Sequence, residues 1–282
     1  MKRIYIEITN QCNLHCSFCP ITSRNKREMK TEEFEYILRQ TSLLTPYIYL
    51  HVQGEPLFHR HLENLLNICD SNHQHLQLVT NGTYISKYPM LYKHLSIRRI
   101  SFSFQSIEFQ NQIHIKDYIH HIDTFSKNAR QNRDDIYIEY RFWRDDQLNL
   151  PNTKYAYEYL VNHYNFKPTN RLNSYQLDER LFLSYENTFD WPSIDNNNDS
   201  SIGTCLGTIQ QLAILVDGTV VPCCLDYNSS IPLGNIFHES LSTIMHSERF
   251  LRIQNGFKNH RVVEELCKHC TFKNRFIKEE LK

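Results

Sequence analysis

The sequence predicts an α/β fold built on a parallel sheet, because short apolar runs alternate with helix-like runs through its first two-thirds. The chain has 282 residues, of which 40% are hydrophobic and 22% charged, as is typical of a globular protein. That length fits one large domain, or one large and one small domain.

The predicted elements follow one another in order along the chain. Apolar runs predict strands at 3–8, 47–52, 76–80, 99–104, 136–142 and 180–185. Helices are predicted between them at 31–43, 61–69, 118–132 and 155–163. Thr31 offers an N-cap to the first helix, and Glu32 and Glu33 place acidic groups in its first turn.

A polar, low-complexity stretch at 193–201 predicts a linker. We therefore expect a first domain at 1–192, a linker at 193–203 and a smaller domain at 204–282. Within the smaller domain, apolar runs flank Asp217-Gly218, which predicts a hairpin with a two-residue turn. Gly218 would adopt positive φ there, which glycine does at little steric cost. A further helix is predicted at 240–246.

Charge and hydropathy speak against several classes of protein. The 31 Lys and Arg residues balance the 31 Asp and Glu residues, which disfavours a nucleic-acid partner. No apolar run reaches the roughly 18 residues that a membrane span needs. The charge at Glu7 comes too early for a signal peptide, so we expect a cytoplasmic protein. Nine cysteines in such a protein indicate metal binding or catalysis rather than disulfides.

Cys12, Cys16 and Cys19 form a Cys-x3-Cys-x2-Cys triplet directly after the first predicted strand. Three thiolates on one loop can hold three corners of a [4Fe–4S] cluster, because cysteine sulfur is the soft ligand that such clusters select. Three ligands leave the fourth iron open to a small molecule. A zinc site or a redox pair is the alternative, although the first spacing fits paired zinc knuckles poorly.

This triplet resembles the signature of the radical S-adenosylmethionine (SAM) superfamily. The resemblance implies a partial (β/α)6 TIM-type barrel, which matches the six predicted strands. It also implies that the open iron chelates SAM, and that the reduced cluster cleaves SAM to methionine and a 5′-deoxyadenosyl radical. Asn81, after the third strand, is expected at the face of the barrel where active sites lie.

The resemblance also implies residues that bind SAM. Gly54-Glu55-Pro56 is similar to the family's Gly-Gly-Glu-Pro motif, with Gln53 in place of the first glycine. Glu55 is the implied partner of the SAM ammonium, a pairing that suits a carboxylate. A turn formed by Gly54 and Pro56 is the alternative.

Three further residues occupy positions that contact SAM in the family. Phe18, before the third cysteine, corresponds to the aromatic residue beside the adenine. Ser103 on the fourth strand matches a polar position that contacts the ribose or carboxylate. Arg141 on the fifth strand is a candidate for the SAM carboxylate, and a structural ion pair with an acid is the alternative.

A second set of cysteines, Cys205, Cys223, Cys267 and Cys270, can converge on one metal centre. Spacing alone leaves a structural zinc site open. With Gly218 and 232–236, the set resembles the SPASM extension of radical SAM enzymes. No cysteine follows Cys270, so the extension is similar to the shortened twitch form with one auxiliary [4Fe–4S] cluster.

The remaining cysteines and two other segments have other expected roles. Cys69 is expected in the core, and Cys224 points away from Cys223 along the strand, although the two could exchange roles. The basic run 24–27 is expected to be a solvated loop, or a site for an acidic substrate or redox partner. Phe189 and Trp191 are expected to pack, or else to line a substrate cleft.

We therefore expect an enzyme that takes a hydrogen atom from a small molecule or peptide. The implied cofactors are SAM, the SAM-binding [4Fe–4S] cluster and an auxiliary [4Fe–4S] cluster, which accepts an electron or anchors the substrate. A flavodoxin- or ferredoxin-type protein would supply electrons. The alternatives are an RNA-modifying radical SAM enzyme, which the zero net charge disfavours, and a non-enzymatic zinc or redox-sensing module.

Overall fold

The computed structural model of the chain describes residues 1–144, 148–167 and 173–277. Its strands are β1 (Arg3–Ile6), β2 (Tyr47–Tyr49), β3 (His75–Thr80), β4 (Ile97–Ser103), β5 (Tyr137–Trp143), β6 (Ser174–Asp178), β7 (Leu181–Glu186), β8 (Gln211–Ile214), β9 (Thr219–Val221) and β10 (Gly234–Asn235). Its helices are α1 (Thr31–Thr41), α2 (Leu62–Ser71), α3 (Ile115–Asn132), α4 (Pro151–His163), α5 (Leu241–Met245), α6 (Glu248–Lys258), α7 (Glu265–His269) and α8 (Asn274–Ile277). Every predicted strand and helix is present with slightly shifted ends, and β6 and α6 are among the elements that the sequence did not predict. In the described ranges, no helix has the length and apolar character that a membrane span requires.

The described residues form two compact units. The first unit comprises Met1–Gln11, Pro20–Gly54 and the residues from Phe189 onward. The second unit comprises Cys12–Cys19 and Glu55–Thr188. The domain limits 1–192, 193–203 and 204–282 stay predictions from composition.

The first unit contains a mixed sheet in the order β10-β9-β8-β1-β2. Strand β1 lies parallel to both of its neighbours, with Ile4 opposite Ile48 on β2 and Leu212 on β8. Strand β9 pairs antiparallel with β8 on one side and with β10 on the other. These apolar side chains are fully buried, so the C-terminal hairpin shares a core with the first strand of the chain.

The hairpin between β8 and β9 is longer by one residue than predicted. The Leu215 N–H donates to the Thr219 carbonyl and the Gly218 N–H donates to the Leu215 carbonyl, each at 2.8 Å. The loop is therefore Val216–Gly218, a turn closed by a glycine with φ of 86°. The predicted two-residue turn is wrong, but positive φ at Gly218 is confirmed, because three-residue loops place it at the bulge.

The cap of α1 also differs by one residue from the prediction. Thr31 is the first helical residue, and Lys30 is the N-cap. The Glu33 carboxylate accepts the Lys30 N–H at 2.9 Å, which satisfies one donor at the start of the helix. The predicted acidic first turn, with Glu32 and Glu33, is confirmed.

The second unit contains a sheet in the order β3-β4-β5-β7-β6. Strands β3, β4, β5 and β7 are parallel, and β6 is antiparallel at the edge. One face buries large side chains such as Phe102 and Tyr140, and Phe102 contacts Phe125 of α3. Because strand side chains alternate, the other face presents polar residues, including Ser103 and Arg141.

The stretch predicted as a linker is hydrogen-bonded to the C-terminal residues of the first unit. The Ser200 N–H donates to the Lys268 carbonyl at 3.2 Å, and the Val262 N–H donates to the Ser201 carbonyl at 2.8 Å. The carbonyl of Asn196 lies 2.7 Å from His269 Nδ1. Residues 196–201 are thus part of the packed first unit.

Candidate functional site

The cysteine triplet lies on the loop Cys12–Cys19 of the second unit. Cys12 and Cys19 are exposed and Cys16 is half-buried. The loop is turned by a hydrogen bond from the Cys19 N–H to the Cys16 carbonyl at 3.0 Å. The Leu14 N–H points at Cys12 Sγ at 3.4 Å, a contact of the kind that stabilises a thiolate or cluster sulfur.

Desolvation by the surrounding protein keeps these cysteines protonated as free thiols. It raises the pKa of Cys12 to about 11, and raises the pKa of Cys16 to about 12 with help from Cys19. Metal coordination deprotonates a thiol outright, so the loop fits a site whose ligands become thiolates only when metal binds.

Asn81, directly after β3, holds the loop in place. Its side-chain nitrogen donates to Asn13 Oδ1 at 3.0 Å and lies 3.7 Å from Cys12 Sγ. Its side-chain oxygen accepts the Thr83 N–H at 3.0 Å, and its carbonyl accepts the Tyr118 hydroxyl. The sequence indicated the face on which Asn81 lies but not this role, which no local pattern reveals.

Glu55 is a buried carboxylate that binds three donors of its own unit. Oε1 accepts the Leu57 N–H at 2.9 Å and the Thr80 hydroxyl at 2.6 Å, and Oε2 accepts the Asn81 N–H at 2.7 Å. Burial raises its pKa to about 7, although these hydrogen bonds act in the opposite direction. The SAM ammonium stays a predicted partner of Glu55. Oε2 is the better placed oxygen for it, because it accepts one hydrogen bond whereas Oε1 accepts two.

Gly54 occupies a position that only glycine fits. Its φ is 78°, and a Cβ there would lie 2.9 Å from the Gln11 carbonyl oxygen and closer still to that of Thr9. Gln53, the departure from the family motif, has a structural role, because its Nε2 donates to the Pro20 carbonyl at 2.9 Å. Pro56 opens a short 3-10 turn, Pro56–Phe58.

Ser103 and Arg141 lie opposite each other on β4 and β5, and both are half-buried on the polar face. No carboxylate among the described residues forms an ion pair with Arg141, which leaves its guanidinium for an anionic ligand. Phe18 packs against Trp143 with ring centroids 4.1 Å apart, and against Phe109 at 5.4 Å. The sequence reasoning missed Trp143, although it follows Arg141 at the spacing of one strand face.

The second cysteine set surrounds a cavity of about 210 Å³ inside the first unit. Its wall includes all four predicted ligands, Cys205, Cys223, Cys267 and Cys270, and also Cys224. Burial raises the pKa of Cys205 to about 11 and raises the pKa of Cys223 and Cys267 well above the ordinary range. Half-buried free thiols that line one cavity fit a metal centre that deprotonates them on binding.

The described residues contain one group of three His, Cys, Asp or Glu ligand atoms within 4.8 Å of one another, and it is Asp199, Glu265 and His269. In the part of the chain that the structure describes, no three cysteine sulfurs are that close. Four sulfurs on a tetrahedral zinc, with Zn–S near 2.3 Å, lie about 3.8 Å apart. No set of three cysteines in the described residues therefore has the spacing of a tetrahedral zinc site.

The other cysteines occupy distinct places. Cys69 is fully buried in α2, as predicted for a core residue. The predicted alternation of Cys223 and Cys224 along a strand is wrong, because β9 ends at Val221 and both cysteines line the cavity. Cys224 also packs on the apolar cluster that contains Tyr5 and Val221. The choice of Cys223 rather than Cys224 as ligand stays a prediction.

In the basic run 24–27 after the triplet, Asn25 and Lys26 are exposed, as expected of a solvated loop, whereas both arginines are paired. Arg24 forms two 2.7 Å hydrogen bonds to the fully buried carboxylate of Glu7, and its Nε donates to the Tyr227 carbonyl at 2.7 Å. Arg27 pairs with Glu33. These two arginines are therefore engaged within the first unit, which removes the reason to place a redox partner on them.

The two interdomain aromatics pack within the first unit. Phe189 contacts Phe272 with ring centroids 5.3 Å apart, and Trp191 contacts Tyr227 at 5.4 Å. Packing is therefore the role that these contacts support.

Two family models match the chain. Residues 6–131 match the Radical SAM superfamily, and residues 205–271 match SPASM, described as an iron–sulfur cluster-binding domain. The matches imply SAM, a [4Fe–4S] cluster and auxiliary iron–sulfur chemistry as cofactors. All seven predicted ligand cysteines lie inside the matched ranges.

The chain is also similar, over nearly its whole length, to individual proteins. It is 22% identical to an S-adenosyl-L-methionine-dependent 2-deoxy-scyllo-inosamine dehydrogenase of Niallia circulans, over 95% of this chain and 91% of the relative. Its structure resembles that of BtrN in complex with AdoMet and 2-DOIA (TM-score 0.57, 18% identity, 96% and 92% of the two chains). It also resembles Streptococcus suis SuiB bound to precursor peptide SuiA (TM-score 0.61, 16% identity, 95% and 69%). These structures confirm the predicted fold class.

Proposed function

The chain belongs to the radical SAM superfamily and carries a SPASM-type iron–sulfur domain, and we propose that it is a dehydrogenase of a small hydroxylated molecule. The observation that carries the proposal is the pairing of two unlike cysteine sites. One is an exposed triplet, and the other is an enclosed cavity lined by four predicted ligands. End-to-end similarity to a SAM-dependent dehydrogenase supports oxidation as the reaction class.

Cys12, Cys16 and Cys19 would hold the SAM-binding cluster, and Cys205, Cys223, Cys267 and Cys270 the auxiliary one. When bound, SAM and its reduced cluster supply a 5′-deoxyadenosyl radical that abstracts a hydrogen atom. Asn81 orients the triplet loop through Asn13 and its contact near Cys12. Arg141 and Ser103 would bind the carboxylate end of SAM, and Phe18 would lie beside the adenine.

A polar surface near the proposed SAM residues supports a hydroxylated substrate. On the same face of the sheet, Glu139 accepts hydroxyl hydrogen bonds from Ser101 at 2.6 Å and Ser184 at 2.8 Å. A carboxylate that already accepts two hydroxyls can accept a substrate hydroxyl or amine by exchange. The auxiliary cluster would accept the second electron of the oxidation or anchor the substrate.

A second candidate function is modification of a peptide, and the resemblance to SuiB bound to a precursor peptide favours it. An RNA substrate is disfavoured by the zero net charge of the chain. A flavodoxin- or ferredoxin-type protein is the proposed electron donor, because the SAM-binding cluster must be reduced before each cleavage.

The first test is metal content and SAM cleavage after anaerobic reconstitution. We expect roughly eight irons and eight sulfides per chain, from two cubanes, and 5′-deoxyadenosine on reduction with dithionite. Replacing Cys12, Cys16 and Cys19 by alanine should leave about half of the iron and no 5′-deoxyadenosine. The matched control, Cys69→Ala, should keep both clusters, and zinc without labile sulfide in the wild type would contradict the proposal.

The second test concerns the substrate class. 2-Deoxy-scyllo-inosamine, the compound named for the Niallia circulans relative, serves as the probe. We expect it, or a related aminocyclitol, to raise 5′-deoxyadenosine formation and to yield a product two mass units lighter. Stimulation by cysteine- or lysine-containing peptides instead would favour the peptide function.

A further inference from the structure

Lys273 is a buried lysine in the wall of the cysteine-lined cavity. Lys273 is 2% exposed to solvent, and it lines the cavity together with Cys205, Cys267 and Cys270. Lysine is rarely buried to this degree unless a negative group compensates its charge. We therefore expect Lys273 to have a negatively charged partner.

Hydrogen bonds fix the ammonium group. Nζ donates to the Cys267 carbonyl at 3.1 Å and to the Lys268 carbonyl, both near the C-terminal end of α7. The same Lys268 carbonyl also accepts the Ser200 N–H. The aliphatic part of Lys273 lies against Gly203, where a Cβ would be 3.4 Å from Lys273 Cδ. Carbonyl oxygens orient the ammonium but do not neutralise it.

No carboxylate among the described residues forms an ion pair with Lys273, and Asp199 acts on it only through longer-range Coulomb attraction. Asp226, the acid that lines the cavity, uses its two oxygens to accept the Ser230 N–H at 2.7 Å and the Ile231 N–H at 2.8 Å. Arg3, the other cation on the wall, donates through Nε to Gln211 at 3.2 Å.

A [4Fe–4S]²⁺ core with four thiolate ligands carries a net charge of −2, so the cavity would hold a buried anion beside this cation. We infer that Lys273 is a positioning residue for the auxiliary cluster, whose fixed positive charge compensates the cluster and makes it easier to reduce. This inference rests on the proposed ligand set of the cavity. It assigns Lys273 a role that the four cysteines do not provide.

The sign of the effect follows from the charge change. One-electron reduction of the cluster adds a negative charge, which a nearby cation stabilises, most strongly in a low-dielectric cavity. Loss of the cation should therefore make the reduction potential more negative. A cluster with a higher potential is better suited to take an electron from a substrate radical.

The experiment uses the full chain with Cys12, Cys16 and Cys19 replaced by alanine, so that a single cluster titrates. Its reduction potential is compared, by electron paramagnetic resonance during a redox titration, with that of the same chain carrying Lys273→Gln or Lys273→Arg. Glutamine keeps hydrogen-bond donors without charge, whereas arginine keeps the charge. The matched control is Lys268→Gln, which removes a charge paired with Glu265 at 3.0 Å.

We expect Lys273→Gln to lower the equilibrium constant for reduction at least tenfold, which is 59 mV for a one-electron couple. Lys273→Arg and Lys268→Gln should stay near the parent value. Cluster loss in the glutamine variant but not in the arginine variant would also support charge compensation. An unchanged potential in Lys273→Gln, or cluster loss in both variants, would overturn the inference. Absence of any cluster in the parent would instead refute the proposed ligand set.

Discussion

The two cysteine sites of this chain are built in opposite ways. The triplet spans eight residues of one loop, and two of its three cysteines are exposed. The cavity draws its cysteines from segments that are up to 65 residues apart (270 − 205), and it encloses them among apolar side chains. One site is thus set by local sequence, and the other exists only once the first unit has folded.

This difference corresponds to the two proposed chemistries. An iron that binds SAM needs an open edge that a small molecule can reach, which a short exposed loop provides. A cluster that only exchanges electrons benefits from four protein ligands and an enclosed setting, which stabilise it and set its potential. The contrast predicts that disturbing the two sites has separable effects.

The largest expected effect, complete loss of product, comes from the double variant Cys267→Ala with Cys270→Ala. Because metal binding in the cavity should be coupled to folding, the melting temperature should fall by roughly 5 °C or more. Uncoupled formation of 5′-deoxyadenosine should persist while product disappears, measured by chromatography and mass spectrometry. Loss of SAM cleavage together with product, in protein that retains the N-terminal cluster signal, would remove the distinction between the sites.

Arg24→Ala should have the next largest effect, because it leaves the buried Glu7 carboxylate without its cation. Glu7 also accepts the Val216 N–H in the hairpin loop, and Arg24 binds the Tyr227 carbonyl, so the cavity region depends on this pair. We expect a loss of about 3–5 kcal/mol in the free energy of unfolding, measured with urea. Arg27→Ala, which breaks a partly exposed pair, should cost at most about 1 kcal/mol. An equal loss of unfolding free energy in both variants would show that the buried Arg24–Glu7 pair contributes no more to stability than the partly exposed Arg27–Glu33 pair.

The smallest expected effect is a pH dependence that originates at Glu55. Burial raises its pKa from 4.5 to about 7, so the folded state holds the proton more tightly than the unfolded state does. Its contribution to stability is full below about pH 4.5 and is lost as the pH rises through about 7, by on the order of 1–3 kcal/mol. Urea midpoints at about pH 5 and about pH 8 measure this change.

Glu55→Gln should lose that part of the pH dependence, and Glu55→Ala should also weaken SAM binding if Oε2 meets the ammonium. The control Glu35→Gln, on an exposed position of α1, should behave as the wild type. Normal SAM affinity in Glu55→Ala would mean that Glu55 only supports the loop through Thr80 and Asn81.

The local features of the molecule were readable from the sequence. The strand positions, the core role of Cys69 and the four cysteines of the cavity all follow from runs, spacing and the resemblance to a family. The roles of Arg24, Asn81 and Lys273 were not readable, because each depends on a partner that the fold brings from a distant segment. A basic run looks solvated until the buried carboxylate that it meets is known.

The motif at 53–56 sets unequal limits on the laboratory evolution of this chain. Gly54 is sterically closed, since the backbone carbonyls of Thr9 and Gln11 occupy the space of any side chain. Gln53 has no such steric block at its backbone, but it is buried and its side chain donates one hydrogen bond to the Pro20 carbonyl. A mutant library aimed at new cofactor analogues can therefore include polar residues of similar size at position 53, whereas we expect variants at position 54 to misfold before selection acts on activity.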